Sequence, residues 1–155
     1  MIENSENLKI GVVGAGSWGT ALANLLAHKG IRVDLWTYEE EVRQQILTER
    51  ENRVFLPGFR LSDKLFPSTD IGRVAADKDF LLTVVPSHLV RAVAGEIAPH
   101  ISSRTIAISA SKGSISTFMP LDASSMLSTL KATCGISRTG PVTGLSGSNR
   151  SHSML

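Results

Sequence analysis

Short apolar runs alternate with amphipathic stretches over roughly the first two-thirds of the chain. Leu8-Lys9-Ile10-Gly11-Val12-Val13 is mostly apolar and stops at Gly14, the length and flank of a buried parallel strand. A helix is predicted from about Ser17 or Trp18, because Ala21, Leu22, Leu25 and Leu26 share one face and Gly30 stands where a C-cap belongs. Ile31 to Trp36 predicts a second strand. Glu39 to Arg50 predicts a second helix, with acids at its start and Arg50 near its end, as the helix dipole favours. Residues 52–67 follow no period, and Pro57-Gly58 marks a turn within them. Asp70 predicts the cap of a short helix through Ala76. Phe80 to Val85 predicts a buried strand ended by Pro86. Ser87 is the expected cap of a helix whose Val90, Val93, Ala94 and Ile97 share a face, and Thr105 to Ala110 predicts a further strand. Strands alternating with helices imply a parallel sheet covered on both faces.

The pattern fades after Gly113, and composition changes with it. Residues 1–113 hold 13 Lys+Arg and 13 Asp+Glu, so they are neutral. The last 42 residues hold Lys131, Arg138 and Arg150 against the single acid Asp122, together with 15 Ser+Thr and three of the four Met. This divides the chain into a regularly patterned domain over 1–113 and an atypical tail over 114–155. The break predicts a truncated product, from a frameshift shortly after Gly113. The formal charge of +2 argues against a nucleic-acid surface, and no apolar run approaches a membrane span. Cys134 is the one cysteine, so an internal disulfide and a cysteine zinc site are not expected; with an N-terminus unlike a signal peptide, the expected setting is the cytoplasm.

The candidate chemistry lies where the first strand ends. Gly14-Ala15-Gly16-Ser17-Trp18-Gly19 follows the strand and opens the helix, the context a dinucleotide fingerprint requires. Gly14 permits the turn out of the strand, Gly16 lets a pyrophosphate approach the backbone, and Gly19 lets the helix pack against the strand. The free amides and dipole of the helix start favour the pyrophosphate charge. The expected fold is therefore a Rossmann-type doubly wound α/β sheet. Glu39 lies where an acid would bind ribose hydroxyls, or it is simply a helix-start acid. Its carboxylate would repel a 2′-phosphate, which tilts NAD or NADP slightly toward NAD; Arg43, one turn later, could answer such a phosphate.

The loop with Thr20-Ala21-Leu22-Ala23 resembles the nucleotide loop of the bacterial NAD(P)-dependent glycerol-3-phosphate dehydrogenases. The resemblance continues at Leu35-Trp36, at Asn52 with Phe55-Leu56-Pro57-Gly58, at Val84-Val85-Pro86-Ser87-His88 and at Ser111-Lys112-Gly113, in the family's order. It covers about residues 8 to 113. It implies a cytoplasmic oxidoreductase that interconverts sn-glycerol 3-phosphate and dihydroxyacetone phosphate with NADH or NADPH, supplying phospholipid precursors, with a homodimer in the full-length form. It also implies cofactor contacts at Ser17, Trp18, Tyr38 and Glu39, and a Lys112 that touches cofactor and substrate. The family often has His-Arg at the Tyr38-Glu39 pair, and this sequence departs there. The family's proton-transfer lysine lies in a helical substrate domain with no counterpart here, so no catalytic residue is identified, and the chain alone is expected to bind cofactor without useful turnover. Leu145-Ser146-Gly147-Ser148 echoes a later family motif and is read as chance.

Other residues have blander readings. Pro86 is expected to shape a turn toward the nicotinamide side, and His88 to pack beside the cofactor. His100, His152, Arg53 and Arg60 read as solvated surface, and no metal site is expected. Lys112 is expected just past a strand end, where a cation can hold a phosphate or polarise a carbonyl. Rival functions are a non-catalytic nucleotide-binding regulatory module and a related reductase of another keto acid. A methyltransferase is weaker, because the three-glycine spacing suits a pyrophosphate. Exposed apolar surface near the strand ends is expected to carry an aggregation risk.

Overall fold

The computed structural model describes residues 7–111 and the backbone of 116–118. Five parallel strands form most of the sheet: β1 (Lys9–Val13), β2 (Arg32–Trp36), β3 (Leu65–Ser68), β4 (Phe80–Thr83) and β5 (Ile106–Ser109). A sixth, β6 (Ser116–Phe118), pairs antiparallel with β5, giving the order β3-β2-β1-β4-β5-β6. The chain starts in the middle and winds outward both ways, the doubly wound topology expected from the sequence. Helices α1 (Ser17–His28) and α2 (Glu40–Glu49) cover one face; α3 (Ile71–Ala75) and α4 (Val90–Ile97) cover the other.

Strand alternation sorts the core into two layers. Ile10, Val12, Val33, Leu35 and Leu65 pack with Ala23, Ala27, Val42 and Ile46 under α1 and α2. Val13, Leu81 and Ala107 pack with Val74, Val93, Ala94 and Ile97 under α3 and α4. Phe80, Leu82, Ile106 and Ile108, on the first of these faces, are only half-buried. Gly11 faces α3, and a Cβ there would lie 2.4 Å from the Val74 carbonyl oxygen. The short helix therefore rests directly on the sheet. Asp70 caps it as expected, its Oδ1 accepting the Arg73 amide at 3.0 Å.

Two expectations are corrected. The irregular stretch 52–67 contains the start of β3, with Pro67 inside it. Proline is tolerated because β3 is the sheet edge, where one side of the strand needs no donor. Ser87 is not the cap of α4; Leu89 holds that position, without a side-chain hydrogen bond. Pro86 to Leu89 first closes a turn, the Leu89 amide donating to the Pro86 carbonyl at 2.9 Å, and the helix follows. Gly11→Ala is expected to destabilise the protein by roughly 2–3 kcal/mol through overpacking against a backbone oxygen that cannot step aside; urea denaturation checks this.

Candidate functional site

The sheet changes winding direction between β1 and β4, and the loops leaving those strands touch. A Cβ on Gly14 would lie 2.3 Å from the Val84 carbonyl oxygen, and Gly14 has a φ of +117°, which favours glycine on conformation alone. Gly19 sits one turn into α1 against the same loop: a Cβ there would lie 1.8 Å from the Gly14 carbonyl oxygen. These two glycines are required by the protein's own packing. Gly16 is not. Its backbone is extended, at φ −65° and ψ 179°, and nothing lies within 4 Å of where its Cβ would stand.

Gly16 is also the N-cap of α1. It offers no side-chain cap, and the first turn holds no acid. The amides of Ser17, Trp18 and Gly19 therefore lack intrahelical acceptors, and the positive end of the helix dipole is left uncompensated by a side chain. Beside this helix start opens a cleft of about 740 Å³. Gly14, Ala15, Gly16 and the 84–86 segment line its base. Trp36, Tyr38, Glu39, Thr69 and Ile71 form one wall; Leu89 at the cap of α4 and Ala92, Val93 and Glu96 within it form the other, and Phe55 closes a side. Among the described lining residues there is no lysine or arginine.

The walls are fixed locally. The Trp36 indole Nε1 donates to the Thr69 carbonyl at 3.0 Å, and Tyr38 meets Trp36 edge-on at 6.4 Å between ring centroids. Tyr38 is 82% exposed, so its ring is open to a ligand. Glu39 is exposed at the N-cap of α2, without a side-chain capping bond, and receives the Thr37 hydroxyl at 3.3 Å. Arg43 is held by Glu40 at 2.6 Å, on the side chain one turn before it. The Glu40 carboxyl lies below its usual pKa, chiefly through the Gln44 hydrogen bond and also through Arg43.

The structure thus gathers Gly14, Gly16, Tyr38, Glu39 and Pro86 around one cleft. Ser17 and Trp18 stand exposed at the adjoining helix start, and Gly19 is buried beneath it. The Ser17 hydroxyl donates to the Phe55 carbonyl at 2.5 Å. Lys112, Cys134, His152 and residues 145–148 lie outside the described residues. His88 and His100 are exposed, as are Arg53 and Arg60; Arg53 pairs with Glu49 at 2.6 Å. No group of three or more metal-ligating side chains occurs among the described residues. No helix among them is long and apolar enough to cross a membrane.

Sequence reasoning missed the α4 wall and a buried polar cluster behind the glycine loop. Asn52, fully buried, donates through Nδ2 to the Ala15 carbonyl at 2.9 Å and to the Thr20 hydroxyl at 2.9 Å. Thr20, also fully buried, donates to the same carbonyl at 3.0 Å. The signal was Asn52 itself, a lone amide ahead of an apolar turn, which the sequence placed in a resemblance but gave no job.

The N-terminal profile of the NAD-dependent glycerol-3-phosphate dehydrogenases matches residues 9–152. Glycerol-3-phosphate dehydrogenase [NAD(P)+] of Syntrophotalea carbinolica is 45% identical over 115 residues, 74% of this chain and 34% of that protein. The enzyme of the same name from Geobacter sulfurreducens is 44% identical over 115 residues, again 74% and 34%. The chain thus spans about a third of the length of these curated relatives. Among solved structures, the glycerol-3-phosphate dehydrogenase of Coxiella burnetii superposes with a TM-score of 0.66 at 33% identity, over 81% of this chain and 37% of that one. The Saccharomyces cerevisiae enzyme gives 0.67 at 27% identity, over 79% and 39%.

The glycines should separate in a stability experiment. Gly19→Ala is expected to cost roughly 3 kcal/mol or more, since a backbone oxygen blocks the new methyl. Gly16→Ala should stay within about 1 kcal/mol of wild type. Thermal or urea unfolding of the two variants side by side checks the contrast.

Proposed function

The chain belongs to the NAD-dependent glycerol-3-phosphate dehydrogenase family, and from that premise we propose that it holds the nicotinamide dinucleotide for the interconversion of sn-glycerol 3-phosphate and dihydroxyacetone phosphate. The observation that carries the reading is Gly16. It has an ordinary φ and empty surroundings, so the fold itself does not demand glycine there. It stands at an uncapped helix start beside the cleft, where a diphosphate can reach the main chain. The residues therefore fit the cofactor, and a Cβ would occupy the space the diphosphate needs.

The roles divide by position. Gly14 and Gly19 hold the loop in shape. Gly16 and the amides of Ser17 and Trp18 receive the diphosphate, with Trp18 flanking it. Tyr38 and Glu39 face the adenosine side, and Pro86 shapes the loop toward the nicotinamide. Lys112 touches both cofactor and substrate. When bound, the nicotinamide supplies hydride transfer at its C4. The protein contributes orientation and a polar setting for the anions.

Glu39 favours NAD over NADP. Its exposed carboxylate would face a 2′-phosphate, and Arg43, which could have answered one, is engaged by Glu40. A cytoplasmic setting, a part in phospholipid precursor supply and a homodimer in the full-length form belong to the same proposal. The described residues are assigned cofactor uptake only; the turnover of the relatives is a property of proteins about three times as long. We further propose a division at Gly113, with 114–155 as a frameshifted tail. The family match through residue 152 counts against a frameshift, and the break in charge and Ser/Thr content counts for one.

Calorimetric titration of the 155-residue chain should show NADH binding more tightly than NADPH, with Glu39→Gln narrowing the gap. Gly16→Val should weaken NADH by at least about tenfold in a still-folded protein. A folded wild type that gives no heat with NADH refutes the reading. The encoding DNA tests the tail: a shifted frame after Gly113 should restore a Gly-Pro-Ser motif, and a frame that does not ends the frameshift proposal.

A further inference from the structure

Resting on that cofactor reading, we propose that Asn52 is a positioning residue for the diphosphate loop: it fixes the Ala15–Gly16 peptide plane so that the Gly16 amide is presented to the ligand. Two buried donors, Asn52 Nδ2 at 2.9 Å and Thr20 Oγ1 at 3.0 Å, converge on the Ala15 carbonyl. A peptide unit is planar and trans, so its carbonyl and its N–H point in opposite directions. Drawing the Ala15 oxygen inward turns the Gly16 N–H the opposite way, away from Asn52. Among the described residues, no backbone carbonyl receives that amide. A flipped plane would aim a carbonyl oxygen at the incoming anion instead.

The cluster is closed on itself. Asn52 uses both amide hydrogens, one on Ala15 and one on the Thr20 hydroxyl, which in turn donates to Ala15. Asn52 Oδ1 accepts the Phe55 amide at 3.1 Å, and its carbonyl accepts the Leu56 amide at 2.8 Å. The Phe55 carbonyl then takes the Ser17 hydroxyl, so the same turn also braces the first residue of α1. Asn52 does not line the cleft, and it acts on the ligand only through Ala15–Gly16. A role confined to stability would lower every ligand's affinity alike. A role in aiming the amide acts on diphosphates and spares a nucleoside.

The test uses the full chain with NADH, ADP and adenosine as probes. Asn52→Asp keeps the shape and replaces the amide donor with an acceptor facing a carbonyl. It should weaken ADP and NADH at least tenfold and change adenosine less than twofold, in a protein shown folded by circular dichroism. Thr20→Val should show the same pattern more weakly, and Thr20→Ser, which keeps the hydroxyl, should bind like wild type. A folded Asn52→Asp that binds ADP and adenosine in the wild-type ratio overturns the proposal. If that variant does not fold, Thr20→Val and Thr20→Ser decide: equal ADP affinity in both overturns it. Wild-type protein that binds neither NADH nor ADP sinks the cofactor reading first, a failure visible before any variant is made.

Discussion

The site depends on one close approach of backbone to backbone. The α-carbon of Gly19 lies so near the Gly14 carbonyl oxygen that an added Cβ would stand 1.8 Å from it. Gly14 in turn lies against the Val84 carbonyl, with 2.3 Å left for a Cβ. The end of β1, the first turn of α1 and the loop after β4 thus meet backbone against backbone at these two glycines. Because α1 starts directly against the end of β1, its free amides stand at the mouth of the cleft, where the sheet changes winding direction.

That stacking separates two uses of glycine that a motif alone merges. Glycines at positions 14 and 19 answer to the protein's own atoms, and position 16 answers to nothing in it. The spacing of the three was legible in the sequence, as were β1, α1, β2 and α2 to within a residue or two. Hydrophobic period carried those elements because each buries one clear face. Where several short constraints overlapped, the period gave no signal. β3 has four residues with a proline among them, and only its edge position makes that tolerable. At the start of α4, Ser87 looked like a cap by composition, yet the proline turn before it delays the helix to Val90. Asn52 lay in a stretch without period, and its meaning depends on partners 32 and 37 residues away in sequence.

The cleft's chemistry follows from what its described lining lacks. The described lining offers Glu39 and Glu96 but no lysine or arginine, so from these residues an anion would be met by amides and not by a mobile cation. A helix start carries only about half an elementary charge, and its pull fades within one turn. Such a weak source works only if its donors are aimed in advance, since each amide counts for little when misdirected. Buried polar groups are costly unless every member is paired, and Ala15, Thr20, Asn52 and Phe55 meet that condition. The protein thus spends buried hydrogen bonds behind the loop to set main-chain direction in front of it. A surface lysine could have supplied more charge with less burial, but a flexible ammonium fixes no peptide plane. Where an anion is met by main-chain amides, direction matters more than charge.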